Sequence, residues 1–157
     1  MPFALSSTDR PFVYRRVIRF SETDAAGVVY FASLLSICHE AYEDAIAATS
    51  ILNIKHFFSS AASTAVPIVH TAADFSQPLF CGDSVLVTLA PKHLSDHAFE
   101  ISYTIEKEQD AKRVRCVQAL TRHVCIDTQT RQKAKLPTEL ADWIERLSEL
   151  ESQSEQD

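Results

Sequence analysis

Glycine is scarce in this chain, which has only two glycines among 157 residues. A chain so poor in glycine keeps one where φ must be unusual or where the backbone must approach something closely, and we expect this of Gly27. Long apolar runs are also absent, since no uninterrupted stretch approaches the roughly 20 residues that a membrane span requires. With 46% hydrophobic and 23% charged residues, the composition is that of a soluble globular protein.

Basic residues are also fewer than acidic ones, with 15 Lys and Arg against 21 Asp and Glu. The net charge is −6, and the basic residues cluster only at Arg131, Lys133 and Lys135, so a nucleic-acid partner is not expected. The N-terminus lacks the basic and apolar regions of a signal peptide. Four cysteines lack paired C-x-x-C spacing: Cys38, Cys81, Cys116 and Cys125. This usage predicts a protein of the reducing cytoplasm.

The length of the chain fits one domain, residues 1–157. We expect its core at about 12–127, a C-terminal helix at about 137–150 and a frayed tail at 152–157. Alternating apolar residues predict a strand over 12–20 and further strands over 66–75, 84–92, 99–105 and 114–126, with a charged turn at 106–113. The predicted class is α+β, an antiparallel sheet of about five strands wrapped around one long helix.

That long helix follows the first strand and an acidic loop. Apolar residues between Phe31 and Leu52 recur at steps of three and four, which predicts an amphipathic helix of five turns or more. Its first turn, from about Val29 to Ala32, leaves backbone N–H groups that favour a nearby negative charge or an oxyanion. A carboxylate just upstream, at Asp24, suits acyl transfer at a carbonyl held by those groups.

Asp24 also has a purely structural interpretation. Thr23 or Asp24 is a suitable N-cap for a helix that starts early, and capping aspartates are common. The spacing alone leaves the catalytic and the capping interpretations open.

The residues around Asp24 form a motif, TDAAGVVYF at 23–31, and a later motif reads F-x-x-P-x-x-x-G-D from Phe75 to Asp83. These motifs resemble those of the hotdog-fold acyl-CoA thioesterases of the 4-hydroxybenzoyl-CoA thioesterase family, over about residues 13–125. The strings CHEAYE at 38–43, PIVH at 67–70 and HVCI at 123–126 are most similar to the cyanobacterial 1,4-dihydroxy-2-naphthoyl-CoA hydrolases, which serve phylloquinone synthesis. Many broader relatives carry glutamate about where His39 stands.

The resemblance implies roles for residues of the first motif. Asp24 would be the catalytic carboxylate, as nucleophile or as general base, and the backbone N–H of Phe31 would polarise the thioester carbonyl. Gly27 and Tyr30 would contact the substrate. No metal or other cofactor is implied.

Other candidate residues have weaker support. His39 is a possible catalytic base or a histidine at the edge of the core, and Glu40 is expected to face solvent. His70 either lines an aryl pocket or packs. Arg131, Lys133 and Lys135 suit the phosphates of coenzyme A, or form a solvated basic segment.

The histidines of the His93–His97 segment have the spacing of a metal pair on a helix, but the flanking alternation predicts a hairpin, so no metal site is expected.

The resemblance implies hydrolysis of an aromatic acyl-CoA, 1,4-dihydroxy-2-naphthoyl-CoA first, at a site between subunits of a dimer of dimers. A 4-hydroxybenzoyl-CoA or short acyl-CoA thioesterase is the alternative within the enzymes. The alternative of another class is a noncatalytic module that binds acyl-CoA or an acyl carrier, in which Asp24 is only a cap. The exposed edges expected of such a sheet favour self-association.

Overall fold

Within residues 11–154, the protein combines a five-stranded antiparallel sheet and a two-stranded ribbon with one long helix and two further helices. The computed structural model describes residues 11–154. The elements run in the order β1 (Val13–Val17), a 3-10 turn (Phe20–Glu22), α1 (Phe31–Thr49), α2 (Ile54–Phe57), β2 (Thr64–Ala65), β3 (Ile68–Phe75), β4 (Ser84–Ser95), β5 (Ala98–Gln109), β6 (Lys112–Val124), β7 (Ile126–Asp127) and α3 (Thr138–Ser154).

The main sheet has five strands in the order β1-β4-β5-β6-β3, and every neighbouring pair is antiparallel. The short strands β2 and β7 form a separate ribbon. β1 and β3 are therefore the two edges of the main sheet. All eight residues of β3 are exposed, so this edge offers unpaired backbone groups beside an uncovered surface.

Helix α1 packs its apolar stripe into the single core of the domain. The buried residues of α1 follow the three-and-four spacing of the sequence: Leu34, Ile37, Cys38, Ala41, Tyr42, Ala45 and Ile46. They share one cluster with the inward residues of β4, β5 and β6. The predicted helix is confirmed, although it ends at Thr49 because Ser50 takes a left-handed conformation with φ 55°. None of the helices within residues 11–154 is long and apolar enough to span a membrane.

The C-terminal helix is longer and more deeply packed than the sequence predicted. α3 runs from Thr138 to Ser154, so a frayed tail from residue 152 is wrong as far as residue 154, and 155–157 lie outside the described residues. Leu140, Trp143 and Ile144 are completely buried, and the Trp143 indole N–H donates to the carbonyl of Ala45 over 3.3 Å. The core thus extends beyond the predicted limit of residue 127.

The predicted charged turn at 106–113 is wrong in its extent. β5 continues to Gln109 and β6 restarts at Lys112, leaving a two-residue turn at Asp110 and Ala111 with φ 51° and 61°. Opposite charges lie across the ladder in this region, where Glu108 pairs with Arg113. Such cross-strand pairs stabilise a charged hairpin that resembles a loop in sequence.

Candidate active site

Asp24 lies at the tip of a tight hairpin that precedes α1. Thr23 and Val29 form an antiparallel bridge, and the Asp24 N–H donates to the Val28 carbonyl over 2.9 Å. The N–H of Gly27 returns to the Asp24 carbonyl over 2.9 Å and closes a four-residue turn. Aspartate first and glycine fourth are favoured residues of such turns.

The two carboxylate oxygens of Asp24 have different surroundings. Oδ1 accepts a hydrogen bond from the N–H of Ala26 over 2.8 Å and a longer one from Val28 over 3.4 Å. Oδ2 has no hydrogen-bond partner among residues 11–154, and the side chain is exposed. One oxygen is therefore held by the turn while the other is free to meet a substrate or a water molecule.

The capping interpretation of this region is wrong. α1 begins at Phe31, its N-cap is Tyr30, and no side chain caps it. Asp24 instead makes a local bond to the backbone two residues on, as aspartates in turns commonly do.

Gly27 occupies a backbone conformation that favours glycine. Its φ is +81°, and a Cβ at this position would meet nothing within 4 Å. Of the two reasons expected for keeping a glycine here, the protomer shows the unusual φ and not a close approach.

The N-terminus of α1 lies directly behind this hairpin. The N–H of Val29 donates to the Leu79 carbonyl and that of Tyr30 to the Glu22 carbonyl, each over 2.9 Å. The predicted helix start at Val29 is therefore two residues early. The N–H groups of the first helical turn, Phe31, Ala32 and Ser33, find no acceptor within the described chain, and they present a partial positive charge.

A second turn packs against the Asp24 hairpin. Val28 and Phe80 form an antiparallel bridge, and the Phe80 N–H donates to the Asp83 carboxylate over 2.8 Å. Gly82 in this turn also has a positive φ, +90°. The two motifs that carry the family resemblance are thus neighbours in space, and each contains one of the two glycines.

Aromatic side chains surround the hairpin without being covered. Phe20 is 81% exposed and Phe31 61%, while Tyr30 and Phe80 are about half-exposed. The rings of Tyr30 and Phe31 lie 4.7 Å apart. Exposed apolar surface of this kind beside a free carboxylate is typical of a ligand site or of a subunit contact.

Arg16 ties the hairpin to the strand and to the helix, and the sequence analysis did not identify it. Its guanidinium, 8% exposed, forms ion pairs with Glu22 and Glu40, the latter at 2.6 Å. Glu40 also accepts from the Tyr14 hydroxyl over 3.0 Å, so the expectation that Glu40 only faces solvent is wrong. Six and 24 residues separate Arg16 from these partners, and such long-range pairing leaves no local signal.

The histidine candidates lie away from Asp24 within one protomer. His39 is eight residues beyond Phe31, about 12 Å along the helix axis, and its Nδ1 lies 3.1 Å from Glu43 Oε1. His70 is exposed near the start of β3, where it pairs with Arg122 of β6. The structure of one chain brings neither histidine to the α1 N-terminus.

The basic residues Arg131, Lys133 and Lys135 also lie far from Asp24. They are exposed and follow β7, where Leu136 donates to Asp96 at the β4–β5 turn. The Asp24 hairpin lies at the other end of β4, a strand of 12 residues and so about 35 Å long. One protomer therefore separates its predicted phosphate-binding residues from its predicted catalytic carboxylate.

Within residues 11–154, no group of three or more His, Cys, Asp or Glu side chains is arranged to hold a metal ion.

Comparisons with known proteins agree with the geometry. Residues 18–144 match the thioesterase-like superfamily. The chain is 49% identical over 134 residues to a 1,4-dihydroxy-2-naphthoyl-CoA hydrolase of Nostoc punctiforme, covering 85% of this chain and 86% of that protein. It is 47% identical over 133 residues to the protein of the same name in Trichodesmium erythraeum, covering 85% and 94%.

A solved structure supports the same assignment. A 1,4-dihydroxy-2-naphthoyl-CoA thioesterase from Synechocystis superimposes with a TM-score of 0.77 at 39% identity, covering 87% of this chain and 96% of that chain. The long helix against a five-stranded antiparallel sheet is the hotdog fold predicted from the sequence. The chain belongs to the thioesterase-like superfamily.

Proposed function

We propose that this protein hydrolyses the thioester of 1,4-dihydroxy-2-naphthoyl-CoA to 1,4-dihydroxy-2-naphthoate and coenzyme A. The observation that carries the proposal is the free Oδ2 of Asp24 on a hairpin joined at its base to the uncapped N-terminus of α1. The names of the relatives in Nostoc and Trichodesmium supply the acyl group.

The chemistry requires an acceptor for charge and a group that attacks or activates water. The thioester carbonyl oxygen would lie at the N–H of Phe31, where the helix N-terminus stabilises the negative charge of a tetrahedral intermediate. Asp24 then either attacks the carbonyl carbon, forming an anhydride that water hydrolyses, or takes a proton from the attacking water. In both routes the thiolate of coenzyme A leaves and is protonated.

A second subunit would resolve the separation of Asp24 from the basic residues. We propose that β3 pairs with β3 of a second copy, which covers its exposed edge. If both α1 helices lie on the same face of the joined sheet, the two-fold axis runs perpendicular to that sheet. The two paired β3 strands are then antiparallel. The Ile68 end of one β3 then meets the Phe75 end of the other.

This pairing has a consequence for the candidate residues. The Phe75 end leads to Leu79 and the Asp24 hairpin, whereas the Ile68 end lies beside His123 and the β4–β5 turn. The partner's Arg131, Lys133, Lys135 and His70 would therefore come to the end of the sheet that carries Asp24. The proposed pairing would create a site between subunits, with the phosphates on the partner's basic residues, and two such dimers would form the tetramer.

The assembly is tested by the mass of the protein in solution. Val69 of β3 is 59% exposed and Val17 of the opposite edge strand 51%, which makes them a matched pair. Val69→Lys should lower the mass below that of the wild-type assembly and abolish activity, whereas Val17→Lys should leave the mass unchanged. Equal masses for the wild type and Val69→Lys would contradict pairing through β3.

The reaction is tested by thiol release from 1,4-dihydroxy-2-naphthoyl-CoA, 4-hydroxybenzoyl-CoA and a short aliphatic acyl-CoA, with Asp24→Asn beside the wild type. We expect a strong preference for the naphthoyl thioester, lost in the variant. A preference for either other substrate would support the alternative thioesterase. Binding without hydrolysis, unchanged in Asp24→Asn, would support the noncatalytic binding module instead.

We place the reaction in the cytoplasm, where the free cysteines Cys38, Cys81, Cys116 and Cys125 would remain reduced.

A further inference from the structure

A small pocket lies between α1 and the sheet. Its volume is about 70 Å³, room for roughly two water molecules at about 30 Å³ each. Its lining residues come from α1, β3, β5 and β6: Leu35, His39, Ile68, Thr71, Tyr103 and Thr121. Among them, Ile68 and the His39 side chain are half-exposed.

The polar groups of this pocket belong to a hydrogen-bonded chain that begins at His123. His123 is buried and stacks on Phe99 with ring centroids 4.5 Å apart. Its Nδ1 lies 3.1 Å from the carbonyl of Val66, which can only accept, so Nδ1 carries a proton. Burial lowers the pKa of His123 to about 4, so the ring is neutral near pH 7 and Nε2 has a lone pair.

The direction of every following hydrogen bond is set by that lone pair. Thr121 Oγ1 lies 2.9 Å from His123 Nε2, so the threonine hydroxyl must donate to it. The Tyr103 hydroxyl, 3.4 Å from Thr121 Oγ1, must then donate to Thr121. Burial raises the pKa of Tyr103, which keeps the phenol protonated.

A third hydroxyl in the pocket, that of Thr71, also donates its proton to another group of the protein. Thr71 Oγ1 donates to the Leu120 carbonyl over 3.0 Å. Thr71, Tyr103 and Thr121 thus direct their protons away, and each oxygen keeps a lone pair for a ligand. Since a lone pair accepts a hydrogen bond and repels an anion, the pocket suits a hydrogen-bond donor, such as a hydroxyl group, and disfavours an anion.

The position of the pocket matches a ring substituent of an acyl group held at Phe31. Phe31, Leu35 and His39 follow one another at steps of four on one face of α1, so the pocket spans about 6 to 12 Å along the axis from Phe31. A group next to the thioester would not reach it, but one on the far side of the same ring would. Its volume of about 70 Å³ has room for the hydroxyl-bearing edge of a ring.

We propose that this pocket binds the 4-hydroxyl of the 1,4-dihydroxy-2-naphthoyl group, with the Tyr103 hydroxyl oxygen as the acceptor that recognises it. The inference rests on the proposed hydrolase function and adds a specificity-determining residue to it. A site built to hydrogen-bond a hydroxyl discriminates strongly against the analogue that lacks it, because the buried polar groups are then left unpaired.

The test compares two thioesters that differ in that hydroxyl alone, 1,4-dihydroxy-2-naphthoyl-CoA and 1-hydroxy-2-naphthoyl-CoA. We expect kcat/KM of the wild type to be roughly tenfold to a hundredfold higher for the first. Tyr103→Phe should lower the value for the dihydroxy substrate to that for the monohydroxy substrate and leave the latter unchanged. Tyr42→Phe, the loss of another buried phenol hydroxyl, should preserve the wild-type ratio.

The outcomes separate this inference from the function on which it rests. Equal hydrolysis of both thioesters by the wild type would overturn the hydroxyl pocket and leave the hydrolase standing. Hydrolysis of neither would overturn the function. Because Tyr103→Phe could fail to fold, calorimetry on the wild type with the two free acids gives a second readout, in which equal affinities would also overturn the pocket.

Discussion

The backbone N–H of Tyr30 donates to the carbonyl oxygen of Glu22 over 2.9 Å. Tyr30 is the N-cap of α1, and Glu22 is the last residue before the Asp24 hairpin. This bond closes the hairpin at its base, so the free carboxylate oxygen and the free N–H groups belong to one connected unit. Pre-organisation of this kind limits the reorganisation needed when charge develops on a bound carbonyl.

Asp24→Asn and Asp24→Ala should separate the charge of Asp24 from its role in the turn. Asparagine also forms the side-chain bond to the backbone two residues on, so Asp24→Asn should keep the wild-type Tm and lower kcat by a factor on the order of 100 or more. Asp24→Ala should lose a similar activity and in addition about 1 kcal/mol of stability. Thermal melts and thiol release measure both, and substantial activity in Asp24→Asn would contradict a catalytic role.

Gly27→Ala should affect activity beyond its effect on stability. A left-handed conformation costs a non-glycine residue about 1–2 kcal/mol, and the strain falls in the turn that holds Asp24. We expect a loss of kcat on the order of 10- to 100-fold, since small displacements of a catalytic group have large effects. Gly82→Ala, with a similar φ, is the control for stability, and the same kcat in both variants would contradict a special role of Gly27.

Arg16→Met should destabilise the protein by about 2 kcal/mol. This is less than the roughly 3–5 kcal/mol for breaking a fully buried pair, because the Glu40 side chain remains 43% exposed. Arg15→Met is a matched control on the same strand, since Arg15 and Glu108 are 63% and 48% exposed and should contribute well under about 1 kcal/mol. Denaturant unfolding of the two variants checks the difference, and equal losses would contradict a larger contribution from the ion pairs of Arg16.

His123 should make the stability of the protein fall below neutral pH. The folded protein keeps this ring neutral down to a pKa of about 4, whereas the unfolded chain takes up the proton near pH 6.5. Between these values the unfolded state binds more protons, so the free energy of unfolding decreases as the pH falls, by on the order of 3 kcal/mol at pH 4.

The measurement is the unfolding free energy of the wild type and of His123→Gln from pH 4 to pH 8. The variant should be less stable at pH 8 but should show a flatter dependence below pH 6.5. An NMR titration of His123 in the folded wild type gives an independent check, and a pKa near 6.5 would contradict the prediction.

The parts of this structure that follow from local pattern could be predicted, and the rest depend on partners far along the chain. The spacing of Leu34, Cys38, Ala41 and Ala45 indicates α1 because each residue faces the core at a helical step. The ends of the elements were less predictable. Glu108 and Arg113 resembled a turn because their stabilising contact is with each other across the strands.

The candidate active site likewise has parts that follow from local sequence and parts that depend on residues far apart in the chain. The short motif around Asp24 predicted an acidic loop and a helix start within two residues of the observed one, since turn chemistry is local. The ion pairs of Arg16 and the chain from His123 to Tyr103 join residues on different elements. A single sequence carries no periodic signal for such contacts, and they emerged only from the fold.

The exposed edge strand β3 also affects the risk of aggregation of the newly synthesised chain. Until something covers it, β3 is a template on which any extended chain could add itself. The sequence limits that hazard, because Pro67 and Pro78 flank the strand and Asp74 places a charge within it. Prolines end a growing ladder and a charge disfavours stacking of identical segments. The strand is thus long enough for the proposed pairing of two subunits, while the prolines at both of its ends disfavour fibrous aggregation.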